Sequence, residues 1–184
     1  AGIYRRDELS IDLRQLCDRA GVAFVQAEIT GLDPKQNRLH LRDRPALHFN
    51  WLSLDVGAVS RPSAAGVPIK PLEASLSFLE SEDPSDPNPL RVIGAGAAGL
   101  EVVLALRRRW PQRELQLQQR RGQLDPAVQN VLRKANIAVT DDDSHHNGPS
   151  LLCTGSQGAA WLATAGLPLT PDDRVRTDRH LRVE

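Results

Sequence analysis

Pro89-Leu90-Arg91-Val92-Ile93-Gly94-Ala95-Gly96-Ala97-Ala98-Gly99-Leu100-Glu101-Val102-Val103-Leu104-Ala105-Leu106 reads as a buried strand, a tight glycine turn and the start of a helix. A dinucleotide pyrophosphate needs that arrangement. Gly94 lets the chain turn sharply, Gly96 lets backbone N–H groups approach the phosphates, and Gly99 lets the helix pack closely on the strand. The helix start offers unpaired N–H donors and a partial positive charge to an anion. Gly94, Ala95, Gly96, Ala97, Ala98 and Gly99 are therefore candidate dinucleotide contacts.

Beyond the glycines, Leu100, Val103 and Leu104 share one helix face, and Arg107-Arg108-Arg109 ends the helix, where cations complement its dipole. Residues 114–118 alternate apolar and polar like an edge-type strand. Asp125-Pro126 signals a cap and first turn for a helix carrying Val128, Val131, Leu132 and Ala135. Residues 137–139 and 151–153 read as further strands. Strands alternating with helices predict an α/β fold with a doubly wound parallel sheet.

Before the glycines, Ser10 is placed to cap a helix with Leu13, Leu16, Cys17 and Ala20 on its apolar face and Gly21 closing it. Residues 22–29 read as a strand, 31–37 as a turn, 38–41 as the returning strand, and 47–54 as another strand ending at Asp55-Val56-Gly57. Residues 61–88, rich in Pro, Ser and Ala, read as a linker holding one short helix over 72–79.

Composition narrows the function. Net charge is zero, so nothing electrostatic favours nucleic acid or an anionic membrane. No apolar run approaches the roughly 20 residues that span a bilayer, and no signal peptide is visible. Cys17 and Cys153 are far apart and form no C-x-x-C, which fits a reducing, cytoplasmic setting and packing roles. The chain has no methionine and starts at Ala1, as expected of a processed N-terminus or an internal piece.

Asp55-Val56-Gly57 is echoed by Cys153-Thr154-Gly155, each after a short apolar strand. With the glycine fingerprint between them, this order resembles the two-dinucleotide flavoproteins of the pyridine nucleotide-disulfide oxidoreductase superfamily, in particular the type II NADH dehydrogenases. The second echo is followed by Trp161-Leu162 and Gly166-Leu167, then Val175-Arg176, Asp178 and Leu181-Arg182, as in that family. Tyr4-Arg5-Arg6-Asp7-Glu8 and Ile69-Lys70-Pro71-Leu72-Glu73 resemble the module fused to selenide, water dikinase in some bacteria.

The resemblance implies a partial FAD-type domain over 1–60, a linker over 61–88, a Rossmann-like NAD(P) domain over 89–155, and a return segment over 156–184. It implies FAD and NAD or NADP as cofactors, hydride transfer from nicotinamide to flavin, and a small-molecule electron acceptor. A homodimer or a fusion to selenide, water dikinase is also implied. Val56, Gly57, Thr154 and Gly155 become candidate cofactor contacts, and Trp161 is expected to pack under the second Thr-Gly turn. Glu101 falls where relatives carry an acid facing the nicotinamide; a helix-dipole role in the first turn explains it equally.

The chain departs from the pattern in several places. It has one glycine fingerprint, where the family has a second near its N-terminus, and it lacks the C-terminal Gly-Asp motif. It is therefore either an internal fragment or a nucleotide-binding, regulatory module that has lost ordinary FAD binding. Without C-x-x-C, an NAD(P)H:acceptor oxidoreductase is favoured over a disulfide reductase. At the ribose position, Gln118-Gln119-Arg120-Arg121 has no carboxylate. Arg120 or Arg121 can face a 2′-phosphate and favour NADP, or the site has decayed. The family's antiparallel meander is replaced by the short run Asp141-Asp142-Asp143-Ser144-His145-His146-Asn147-Gly148-Pro149, which reads as a solvated acidic loop rather than a metal site.

Overall fold

The computed structural model describes residues 3–5, 7–60, 63, 65–119, 124–141 and 146–183. Two compact units result, one from residues 3–58 with those from 157 onward, the other from residues 59–156.

In the first unit, helix α1 (Leu13–Ala20) is capped by Asp12, whose Oδ1 accepts the Gln15 N–H at 3.0 Å, and Gly21 closes it in the left-handed conformation. The cap is thus Asp12 and not Ser10, because the helix starts two residues later than its first capping signal. Strands β1 (Ile29–Asp33), β2 (Arg38–Leu41) and β3 (Arg44–His48) form an antiparallel sheet in that order. The β1–β2 turn is held by Asp33 Oδ1, which accepts the N–H groups of Lys35 and Gln36. Leu32 on β1 is buried, and the 3-10 helix Ala160–Thr164, with buried Leu162, packs on that strand.

Two expected strands shift here. Residues 22–28 and 52–58 belong to no hydrogen-bonded strand among the described residues, and the ladders fall instead on β1 and β3. An apolar run marks a stretch that suits a sheet, but a strand exists only where a neighbour supplies the ladder.

The second unit contains β4 (Val59–Ser60), β5 (Val67–Pro68), α2 (Leu72–Ser81), β6 (Leu90–Ile93) and α3 (Ala97–Arg109). It continues with β7 (Leu115–Gln118), α4 (Pro126–Lys134), β8 (Ala138–Thr140) and β9 (Ser150–Leu152). Strand β10 (Ser156–Gln157) pairs with β4. The main sheet has the order β5-β9-β6-β7-β8, and its pairs are all parallel. Strand β7 is therefore interior and not an edge. Its alternation arises because the sheet has unlike faces. Leu90, Val92, Leu115, Leu117 and Leu151 share a buried apolar core with Val103 and Leu106 of α3 and Leu132 of α4. On the other face Arg91 donates to Gln116 Oε1 at 3.0 Å. Each fully buried leucine contributes roughly 2 kcal/mol by removal from water.

The helix signals around Asp125 hold. Its Oδ1 accepts the Ala127 N–H at 2.7 Å, and Pro126 occupies the first turn. Leu132 is buried as the spacing requires, but Val131 stays about half exposed at the margin of the helix. Arg113, fully buried, pairs with Asp86 at 3.3 Å and Glu82 at 3.5 Å, and donates to the Asp86 carbonyl. That ties the α2–β6 connection to the start of β7. Burial holds the Glu82 carboxyl above its ordinary range despite the arginine.

Candidate functional site

The glycine turn stands at the C-terminal edge of the parallel sheet, where open α/β folds bind ligands. Strand β6 ends between two neighbours that fix the turn. Gly94 N–H donates to Gln118 O at 2.9 Å, and Cys153 N–H donates to Ile93 O at 2.8 Å. Gly94 has φ +111°, and a Cβ there would come within 2.6 Å of the Cys153 carbonyl oxygen and 3.2 Å of Thr154 N. No other residue fits this turn without moving β9.

Gly96 is the N-cap of α3, with extended backbone and no side-chain cap. The first helical bond is Leu100 N–H to Gly96 O at 3.0 Å, so the N–H groups of Ala97, Ala98 and Gly99 have no intrahelical partner. No atom lies within 4 Å of where a Gly96 Cβ would be. The position combines open space, unspent donors and the positive end of a 13-residue helix. Gly99 is sharper than its sequence role. Its neighbour is the Gly94 carbonyl at the strand's end, which any Cβ on Gly99 would overlap. The turn is thus braced internally at Gly94 and Gly99 and left open at Gly96, a cradle that fits a pyrophosphate.

The remaining predicted residues divide. Ala95, Ala97 and Ala98 lie in the turn and the first turn of α3, while Thr154 and Gly155 follow β9 beside it. Glu101 is exposed in the second turn of α3, beyond the first-turn position that a dipole role assumes. Gln119 directly follows β7. Val56 and Gly57 belong to the first unit. Arg61, Pro62, Arg120, Arg121, Asp142, Asp143, Ser144 and His145 lie outside the described residues. Trp161 is half-buried in the 3-10 helix Ala160–Thr164. Arg107 donates to the carbonyls of Pro111, Arg113 and Asn136 at 2.7 to 2.9 Å, and Arg109 lies over the Trp110 ring. These two cations seal the far end of α3.

Sequence reading missed Asp141. The ladder between β7 and β8 continues one residue past β7, with Gln119 N–H donating to Thr140 O at 3.0 Å. Gln119 Nε2 then donates to Asp141 Oδ1 at 3.1 Å. A carboxylate therefore stands beside Gln119, supplied by the residue after the next strand. The parallel β7–β8 register was the signal that locates it, and that register is not visible in β7 alone.

Cys153, at the end of β9, is buried, and desolvation pushes its thiol up to about 11. It is protonated at neutral pH and serves packing. Among the described residues no group of three or more His, Cys, Asp or Glu side chains is arranged to hold a metal. No helix among them is long and apolar enough to cross a membrane.

The first unit has no comparable cradle among its described residues. Helix α1 starts behind the Asp12 carboxylate, so the site of an incoming anion is already filled by one. Among the described residues, the α3 turn fits a dinucleotide pyrophosphate and the start of α1 does not.

No protein-family model matches the chain. It is 22% identical over 202 aligned residues to ferroptosis suppressor protein 1 of Taeniopygia guttata, which covers 89% of this chain and 54% of that protein. Putidaredoxin reductase, in its covalent complex with putidaredoxin, superposes with a TM-score of 0.80 at 16% identity, covering 98% of this chain and 52% of that one. A FAD-dependent pyridine nucleotide-disulphide oxidoreductase from Desulfovibrio vulgaris gives 0.66 at 19%, covering 90% and 52%. The chain thus spans about half the length of each. With the five-stranded parallel sheet and its glycine turn, these likenesses give the chain the Rossmann-like fold of the pyridine nucleotide-disulfide oxidoreductase flavoproteins.

Proposed function

We propose that residues 59–156 bind a pyridine dinucleotide at the α3 turn. In this reading the chain is the nucleotide-binding part of a FAD-dependent NAD(P)H:acceptor oxidoreductase. One observation carries it: the turn is braced at Gly94 and Gly99 yet open over Gly96, with the uncapped start of α3 facing that opening. When bound, NAD(P)H supplies a transferable hydride. The chain's own contribution is to hold the pyrophosphate on the N–H groups of residues 97–99 and to fix the cofactor's place at the sheet edge. The free thiols of Cys17 and Cys153 suit a cytoplasmic setting.

A second reading, a nucleotide-binding module without flavin chemistry, draws on the Asp12 carboxylate at the start of α1. Absorbance of the purified protein separates the two. Visible flavin bands that bleach on adding NADH or NADPH support the oxidoreductase. A colourless protein that binds either nucleotide supports the module. Binding of neither overturns both. Gly96→Leu projects a side chain into the open space and is expected to abolish nucleotide binding with the circular dichroism spectrum unchanged. Undiminished binding in that variant places the site elsewhere.

A further inference from the structure

The parallel sheet ends in two edge strands, β5 and β8, and their outward backbones differ. At β5, Ile69 N–H donates inward to Leu152 O at 3.0 Å. Alternation then turns Pro68 outward, and proline has no N–H to offer a further strand. That edge is blunted.

Strand β8 is the reverse. Gln119 N–H donates to Thr140 O, so Thr140 and, two residues back, Ala138 turn their backbones towards β7. Ile137 and Val139 therefore face outward. The Ile137 N–H is spent on Leu132 O at 3.0 Å. Among the described residues, the Ile137 carbonyl and both backbone groups of Val139 have no hydrogen-bond partner. The edge has no proline and no bulge, two usual protections against a further strand. Helix α4 does not close it off, because an open groove bordered by Gln129, Asn130 and Arg133 reaches Ala138 and Val139. The Val139 side chain is 39% exposed.

Charge differs between the two ends of this strand. The chain approaches β8 through Arg133 and Lys134, both exposed, and leaves it through Asp141, the first of three consecutive aspartates. A second copy aligned parallel would set like charges together. An antiparallel copy sets the acidic exit of each strand towards the basic entry of the other. With a two-fold axis at Val139, the two Val139 residues exchange both of their N–H to O bonds. Ile137 of each copy then stands opposite Asp141 of the other. One surface supplies both sides of the contact.

We propose that β8 is an interface between two copies of this chain, which pair antiparallel across Val139 and join their parallel sheets. The ladder is short and the interface small, so the dimer is expected to be half formed on the order of 100 µM. Nucleotide binding at the α3 turn is not required for it.

Sedimentation velocity of the purified chain across that range, with hydrogen exchange at its two ends, tests this. The wild type is expected to pass from monomer to dimer, and the Val139 amide to exchange about tenfold more slowly at the concentrated end. Val139→Pro removes the outward donor, as Pro68 does on β5, and is expected to be monomeric throughout. Val139→Lys keeps the backbone intact but sets two like charges opposite each other, and is also expected to be monomeric. Lys134→Glu is expected to weaken the dimer about fivefold, an effect that added salt erases. A wild type that stays monomeric overturns the proposal. So does a dimer that survives in Val139→Lys, or a Val139 amide whose exchange ignores concentration. Loss of the dimer in Val139→Lys with no change in Lys134→Glu overturns the antiparallel orientation.

Discussion

The two units treat their apolar residues in opposite ways. The parallel-sheet unit buries its leucines and valines from Leu90 to Leu152 in one continuous core, and few large apolar side chains among its described residues remain exposed. In the other unit only Leu32, Leu162 and Ala165 are buried apolar residues among those described. Ile11, Leu13, Leu16, Val22, Val25 and Trp51 stay exposed. Both units carry amphipathic helices with good caps. The difference lies in what the helices face. Helix α3 covers a paired sheet, whereas the apolar face of α1, with Leu13 and Leu16 more than half exposed, covers none of the core. Caps and periodicity suffice to form a helix, but only tertiary packing makes it stable.

This contrast can be broken most severely at Arg113. Its guanidinium is fully buried and holds Glu82 and Asp86, so Arg113→Ala strands two carboxylates and is expected to cost about 3–5 kcal/mol in urea unfolding of the parallel-sheet unit. A loss below about 1 kcal/mol would show that the pair is not buried in solution. Leu117→Ala, in the centre of the sheet, is expected to cost about 2–5 kcal/mol. Leu16→Ala on α1 is expected to change stability by less than about 0.5 kcal/mol. Equal losses at Leu117 and Leu16 would erase the distinction between the units.

Hydrogen exchange sharpens the same contrast segment by segment. Amides of β6, β7 and β9 are expected to be the most protected in the chain, since each lies inside the parallel ladder. Amides in residues 22–28 and 52–58 are expected to exchange among the fastest. Slow exchange in either segment would mean that it pairs with a further strand.

The same contrast accounts for what was legible in the sequence. The strand–turn–helix at Pro89 to Leu106 is local: its apolar run, glycines and helix periodicity are adjacent in the chain, and its start and end can be read directly. The Asp125–Pro126 signal is equally local, and the helix begins there. What was not legible depended on partners. Strand β7 looks like an edge because its sequence alternates, yet it is interior, and its polar row faces Arg91 rather than solvent. The strands expected at residues 22–29 and 47–54 were displaced because hairpin partners, not apolarity, fix where ladders form. At the candidate site the glycine turn was legible and Asp141 was not, since its place depends on the pairing of β7 with β8.

The smallest expected effect concerns His146, on the connection into β9. Burial lowers its pKa below the ordinary value of 6.5, and the nearby charge of Arg91 adds to this, while the hydrogen bond to Pro149 O at 3.2 Å works the other way. The unfolded chain then binds a proton more readily than the folded one as the pH drops below 6.5. Stability contributed by the neutral ring is present above that value and is lost as the pH falls through the lower folded pKa. Unfolding midpoints between pH 7 and pH 5 are therefore expected to fall slightly more for the wild type than for His146→Gln, which cannot titrate. Because the other unit has no equivalent buried histidine among its described residues, the difference is expected in the parallel-sheet transition alone. A wild type and variant with identical pH slopes would mean that the ring is solvated, and that the connection into β9 is as loosely held as residues 22–28.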